Sequence, residues 1–326
     1  MTEVLPNVVI TGGLGYLGRR LIRYLTHQDR FKVTALTRNR VLETTRADVP
    51  CPILQLPPDL NDATDALNGF DQVVHLGAPD EIQCAAAPAA SASEAFAFTH
   101  WLTVAAKAAG VKRVVLASSI HVYGAALTGH LDEQTQPEPT HPYGIIKRFT
   151  EDLVSASSRT GGPASVILRQ ANGFGEPVSP DMTRWTLLVN DLCRQAVEKR
   201  RLVLRSDPRI IRNFITLQDV CRALSHFLGA QLEPGSRCYH VGSSRSRSLG
   251  EMAELVRGRC LETLGFEPSL TVGESSGRPP PSLDYDIESL KRTGFKLEED
   301  FASEVDRTLV ACNKWFSPHA EPERNR

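Results

Sequence analysis

The chain lacks any apolar run near the ~20 residues that a membrane-spanning helix needs. It also lacks an excess of either charge: 37 basic and 38 acidic residues leave a formal net charge of −1. Neither a membrane nor a nucleic acid is therefore expected as a partner. The seven cysteines (Cys51, Cys84, Cys193, Cys221, Cys238, Cys260 and Cys312) are odd in number, scattered and without a Cys-x-x-Cys pair. That spacing argues against a disulfide framework and against a zinc site, so no metal is expected. The first residues run directly into an apolar strand, without the pattern of a signal peptide. Reduced thiols and no leader together predict a cytoplasmic protein. No internal repeat or low-complexity block appears.

What is present is 41% hydrophobic and 23% charged residues in a chain of 326. That suffices for one large domain and a smaller lobe. The organising stretch is Val8-Val9-Ile10-Thr11-Gly12-Gly13-Leu14-Gly15-Tyr16-Leu17-Gly18. A β-branched run suits a strand buried on both faces. Gly12 allows a tight turn, Gly15 lets backbone approach a pyrophosphate, and Gly18 lets helix and strand pack closely. Leu14, Leu17, Leu21, Ile22 and Leu25 then form a helical stripe whose N-terminal amides favour an anion.

Further strands follow at Phe31–Leu36, Pro52–Leu56, Asp71–Leu76, Arg113–Ala117 and Ala164–Leu168. Their alternation with helices predicts an α/β, Rossmann-type doubly wound parallel sheet in the order 3-2-1-4-5-6. The second strand ends in Arg38 and Arg40, with no acidic residue to hold a ribose hydroxyl. That leans towards NADP(H), with NAD(H) as the alternative. Asp59 and Leu60, after the third strand, are candidate cofactor neighbours. So are Leu76, Gly77 and Ala78, where small residues let a cofactor lie against the backbone. His75 reads as a packed strand-end histidine. Residues 80–93 read as a loop at the pocket rim and 94–109 as a helix ended by Gly110. The polar, proline-bearing 125–141 reads as a loop.

Beyond residue 170 the pattern loosens. Helices are expected at 183–200, from Leu217, and at 248–262, 286–292 and 299–315. Short strands are expected at 202–204 and Cys238–Val241, and loops at 278–282. The organisation predicted is a Rossmann domain over 1–170, completed by segments near 210–245. A mainly substrate-binding lobe spans 171–316, and a frayed tail 317–326.

Chemistry gathers at the carboxyl edge of the sheet. A helix starting at Pro142 puts Tyr143 and Lys147 one turn apart on one face. A free phenol titrates near ~10, and a neighbouring ammonium favours the phenolate needed as a base. The same lysine can hold ribose hydroxyls. Ser119, after the fifth strand, can polarise the substrate oxygen, and Ser118 sits beside the cofactor.

With these residues in view, the chain resembles an extended short-chain dehydrogenase/reductase of the nucleotide-sugar epimerase/dehydratase type, from about residue 7 to 316. The resemblance rests on the glycine stretch, His75-Leu76-Gly77-Ala78, Ser118-Ser119-Ile120-His121-Val122-Tyr123-Gly124, Tyr143-xxx-Lys147, Leu168-Arg169-Gln170-Ala171-Asn172 and Arg212-Asn213-Phe214-Ile215. It implies an NAD(P) cofactor and a nucleoside-diphosphate-sugar substrate. Ser119 would be the polarising hydroxyl, Tyr143 the acid/base and Lys147 its partner. Asn172 would lie near the substrate phosphates, and Arg212 would be a diphosphate clamp. It also implies a homodimer through the helix at 94–109 and the one near Tyr143.

The departures bear on the reaction. Ile120 and His121 stand where the family's 4,6-dehydratases carry an Asp-Glu pair, which disfavours water elimination. His121 is either a substrate-facing acid/base or a histidine holding its loop. Ala95 replaces the family's asparagine near the start of its helix. The leading expectation is epimerisation. The alternatives are NADPH-dependent reduction of a keto sugar, oxidation of a free sugar or sugar acid, or a non-catalytic cofactor-binding relative.

Overall fold

The computed structural model describes residues 5–231, 233–275, 277 and 280–317. Seven parallel strands form the central sheet: β1 Asn7–Thr11, β2 Lys32–Thr37, β3 Ile53–Gln55, β4 Gln72–His75, β5 Arg113–Ser119, β6 Ala164–Gln170 and β7 Ser236–Val241. Their order is 7-6-5-4-1-2-3. The expected order stands, and the Cys238–Val241 segment adds the seventh strand beside β6.

The β1 residues show why both faces need cover. Val8 and Ile10 pack with α1 (Tyr16–Gln28) through Leu21, Ile22 and Leu25. Val9, pointing the other way, packs with Phe98, Leu102 and Ala106 of a helix spanning Pro88–Ala108. This period of two is what a doubly covered strand requires. A separate core gathers Phe174, Trp185, Leu192, Met252, Val256, Phe301 and Val305 from the C-terminal half.

Three stretches depart from expectation. Residues 80–93 are mostly helical: α2 spans Glu81–Ala86, and α3 is the Pro88–Ala108 helix. A capping box starts α2. Asp80 accepts from the Gln83 amide and Gln83 accepts from the Asp80 amide, each at 2.9 Å. Pro88 starts α3 rather than breaking it, because first-turn amides have no intrahelical acceptor to lose. Within 125–141, Gly129–Leu131 forms a strand parallel to Leu283–Tyr285. The helix expected over 183–200 is a short turn at Arg184–Thr186 followed by α5, Leu188–Lys199. Of the tail at 317–326 only Ser317 falls within the described residues, and 278 and 279 of the proline-rich loop lie outside them.

Helix α4, Pro142–Arg159, crosses the carboxyl edge and is tied to the sheet by a buried ion pair. Glu151, only 2% exposed, lies 2.7 Å from the Arg169 guanidinium on β6. It also accepts the Ser118 hydroxyl of β5. Glu151→Ala leaves Arg169 charged and unpaired in the core. A loss of about 3–5 kcal/mol in urea-unfolding free energy is expected; a loss under about 0.5 kcal/mol would show that the pair does not bear on stability.

Candidate active site

The carboxyl ends of β1, β4, β5 and β6 open into a cleft of about 490 Å³. Gly12, Gly15, Tyr16, Leu17, Leu76, Ala78, Ser118, Ser119, His121, Tyr143, Lys147, Asn172 and Arg212 all line it. Leu14, Arg38, Asp59, Leu60 and Gly77 do not.

The glycine turn is built by close approach. Gly12 has φ +65°, and a Cβ there would lie 2.8 Å from the Gly77 amide nitrogen. A Cβ on Gly18 would lie 2.2 Å from the Gly12 carbonyl oxygen. Gly77 therefore supports the turn from beneath. Gly15 caps α1 with extended backbone, no side-chain cap bond and no acidic residue in the first turn. The α1 amides are left for an external anion, so this turn fits a dinucleotide pyrophosphate. Leu14 and Leu17 pack against the core below. Tyr16 donates to the Gly175 carbonyl at 2.8 Å and accepts from the Asn190 amide at 2.9 Å. Its hydroxyl joins the turn to the C-terminal half.

The second-strand end differs from a bare basic edge. Arg38 pairs with Glu94 of α3 and lies 4.5 Å over the Phe98 ring. Arg40 is exposed. Asp59 caps the turn Leu60–Ala63, accepting from the Asn61 amide at 2.9 Å, and Leu60 packs on the core beside β2. His75 is buried between Thr11 (2.7 Å) and Thr99 (3.2 Å), and burial lowers its pKa to about 3. It is a neutral packing residue.

Ser119 ends β5, and its hydroxyl accepts from the His121 amide at 3.2 Å. Tyr143 sits one residue into α4, whose cap is His141: its Nδ1 accepts from the Tyr143 amide at 3.2 Å. Lys147 is 8% exposed and donates to the Ala117 carbonyl at 3.1 Å. Its Nζ lies 5.6 Å from the Tyr143 ring centroid. Ala95, in place of a polar anchor, packs with Cys84, Tyr143 and Ile146 beneath the site. Ser118 borders the cleft, but its hydroxyl is spent on Glu151.

Burial, more than Lys147, sets the charges. It drives the Tyr143 phenol well above its ordinary range, and Glu81 pushes the same way. Arg184 and the Ser119 hydroxyl pull it down. Burial brings Lys147 down to about 8. His121 stands 6.2 Å from Tyr143, ring centre to ring centre. Burial lowers its pKa below 6.5, with Glu81 opposing, so the imidazole is neutral at pH 7.

Asn172 and Arg212 are brought together by parallel pairing of Asn172–Phe174 with Phe214–Thr216. Asn172 donates to the Asn213 carbonyl at 2.8 Å. Arg212 donates at 2.9 Å to the adjacent Ile211 carbonyl and has no ion-pair partner among the described residues. Sequence reasoning missed Glu81 and Arg184, which face each other across the cleft at 2.6 Å. The Asp80-x-x-Gln83 capping signal was the only local hint of the helix that presents Glu81.

The fold and this edge define an enzyme of the short-chain dehydrogenase/reductase type. The chain belongs to the NAD dependent epimerase/dehydratase family, whose model matches residues 8–242. It is 24% identical to a dTDP-glucose 4,6-dehydratase of Streptomyces niveus, over 97% of this chain and 96% of that one. It is 26% identical to a UDP-glucose 4-epimerase of Azospirillum brasilense, over 86% and 84%. The solved structure of MoeE5 in complex with UDP-glucuronic acid and NAD superposes with a TM-score of 0.74. The two chains are 25% identical, and 94% of this chain and 99% of that one are covered. Members are NAD-dependent enzymes of sugar nucleotides, and both epimerases and dehydratases are represented.

Helix α4 can approach only because residue 144 has no side chain: a Cβ there would lie 2.4 Å from the His121 carbonyl oxygen. Gly144→Ala is expected to lower stability by about 1–3 kcal/mol through overpacking and to displace Tyr143 from Ser119. Thermal unfolding alongside turnover checks this; unchanged values for both would mean that the approach sets nothing.

Proposed function

We propose that this enzyme epimerises a hydroxyl-bearing ring carbon of a nucleoside-diphosphate sugar through a transient ketone. The observation that carries the reading is the convergence of Ser119, Tyr143 and Lys147 on one cleft with no free carboxylate beside them. Ile120 is 1% exposed in the core, and His121 is neutral. Asp80 and Glu81 are the acidic residues lining the cleft among the described residues. Asp80 is held in its capping box, and Glu81 is held by Arg184. A dehydratase needs a carboxyl pair able to pass a proton and release water, and neither of these is free to do so.

In this reading Arg212 and Asn172 hold the diphosphate, Arg212 through its forked donors. Ser119 donates to the reacting oxygen as its charge changes. When bound, the oxidised cofactor would supply the hydride acceptor and a positive charge. Tyr143 takes the hydroxyl proton and later returns it; Lys147 steadies the phenolate and the ribose hydroxyls. Inversion needs either rotation of the ketone or removal of the proton on the carbon next to it. In the second route, which inverts that neighbouring carbon, the neutral His121 imidazole takes the proton from one face and solvent water returns one to the other.

For the cofactor, the Glu94 carboxylate on Arg38 supports NAD over NADP, since it would repel a 2′-phosphate. Reduction of a keto sugar by exchangeable NADPH is the second reading, favoured by exposed Arg40. Exposed Phe96, Val104 and Ile145 on α3 and α4 support a homodimer across those helices. The free thiols support a reducing, cytoplasmic location.

Tyr143→Phe is expected to cut turnover about 10²–10⁴-fold with NAD binding retained; undiminished turnover would remove Tyr143 as the acid/base. Denaturing the purified protein should release NAD, detected by mass, whereas an empty site that takes up NADPH would favour the reductase. Turnover in D₂O separates the two routes to inversion. Deuterium on carbon, lost in His121→Asn, assigns the base; product without deuterium leaves rotation and makes His121 structural.

A further inference from the structure

An ion pair from two distant elements crosses the end of the cleft nearest Tyr143. Arg184 lies 2.6 Å from the Glu81 carboxylate and 3.7 Å from Asp80. Glu81 opens α2 just beyond β4, while Asp80 is occupied capping the same helix. Arg184 opens the turn before α5. The next residue, Trp185, is buried against Trp315 and Phe316 and donates to the Pro180 carbonyl at 3.1 Å. With Trp185 fixed inwards, Arg184 is left facing the cleft, where both members of the pair border the same space as His121 and Tyr143.

The cleft thus has two ends of opposite character. At one, Arg212 stands directly opposite Arg247 in an antiparallel pair, with no ion-pair partner of its own among the described residues. A guanidinium without a carboxylate partner suits phosphates. At the other end the guanidinium already has its carboxylate, and Asp80 adds further negative charge.

We propose that the Glu81–Arg184 pair is the specificity determinant for the sugar: it admits a neutral hexose and rejects the corresponding hexuronate. This rests on the nucleotide-sugar reading above. Sugar hydroxyls can donate to Glu81 and accept from Arg184 without breaking the pair. A sugar carboxylate must either displace Glu81 and leave it unpaired, or lie as a third negative charge beside Glu81 and Asp80. Both are costly in a partly desolvated cleft.

The test is calorimetric titration of the NAD-loaded enzyme with UDP-, dTDP- and GDP-glucose, the matching glucuronates, and UDP, dTDP and GDP alone. With the nucleotide that binds best, the wild type is expected to prefer glucose over glucuronate by at least about tenfold, which is ~1.4 kcal/mol. Glu81→Gln keeps the shape but frees Arg184, and the ratio should fall to near one or reverse. Arg184→Gln should widen it. Equal wild-type affinities overturn the proposal, as does an unchanged ratio in a Glu81→Gln protein folded by circular dichroism. In either case binding of the nucleoside diphosphate leaves the nucleotide-sugar reading standing. If no nucleotide and no nucleotide sugar binds, that reading fails and takes this one with it.

Discussion

A carboxylate inside a protein must be paired, and Glu151 is where this structure meets that demand. It sits on the helix that carries Tyr143 and Lys147, and it receives Ser118 from β5 and Arg169 from β6. One buried charge thus locks the tyrosine helix to the serine strand. Arg169 extends the lock by donating to the Tyr123 hydroxyl oxygen at 2.6 Å. That hydroxyl meets His240 Nε2 on β7, also at 2.6 Å. The Asp286 carbonyl beside His240 Nδ1 can only accept, so Nδ1 carries the proton and Nε2 accepts. Tyr285 returns to the Arg169 carbonyl at 2.6 Å. The turn after Ser119, the helix that carries Tyr143 and the outermost strand are thereby one hydrogen-bonded unit. Partial breakage of such a unit costs more than its parts suggest.

A second lock sets the width of the cleft. Arg20 of α1 is buried against Glu304 of α6 (Phe301–Phe316), and Arg20 and Arg23 both reach Glu176. Gly175, at φ +150°, passes so close to Glu304 that a Cβ would lie 2.2 Å from its carboxylate oxygen. The helix beneath the glycine turn and the C-terminal half are therefore held at a fixed separation. Arg184 lies nine residues after Gly175 in the chain.

The parts legible in the sequence were those set by neighbours along the chain. The β-branched run before Gly12, the glycine spacing and the helical step from Tyr143 to Lys147 are local patterns, and the fold keeps each of them. The parts that were not legible depend on residues far apart. Arg38 reads as a free cation until Glu94, 56 residues on, is seen beside it. Arg184 and Glu81 are separated by 103 residues. Helix α2 was missed for a different reason: Pro88 and a run of alanines read as a break, whereas proline at a first helical position begins a helix. The effect of Lys147 on Tyr143 was overestimated because spacing carries no information about burial, and burial outweighs the ammonium here.

The relatives catalyse both epimerisation and dehydration, so the choice between them falls to the side chains in the cleft. Elimination of water demands a base for one carbon and an acid for the departing hydroxyl. The acid must hold a proton at neutral pH. Glu81 fails as that acid, since Arg184 keeps its carboxyl below the usual range despite burial. His121 fails too, because burial holds it neutral. Burial raises the Tyr143 phenol; in the proposed reaction the cofactor's positive charge would favour its phenolate, and it would exchange a proton only with the reacting oxygen. Among the described residues lining the cleft, Asp80 and Glu81 are committed to a cap and an ion pair, Lys147 donates to the Ala117 carbonyl, and His121 is neutral. No carboxyl among the described residues lining the cleft is free to protonate a leaving hydroxyl, and that shortage supports the epimerisation proposed above.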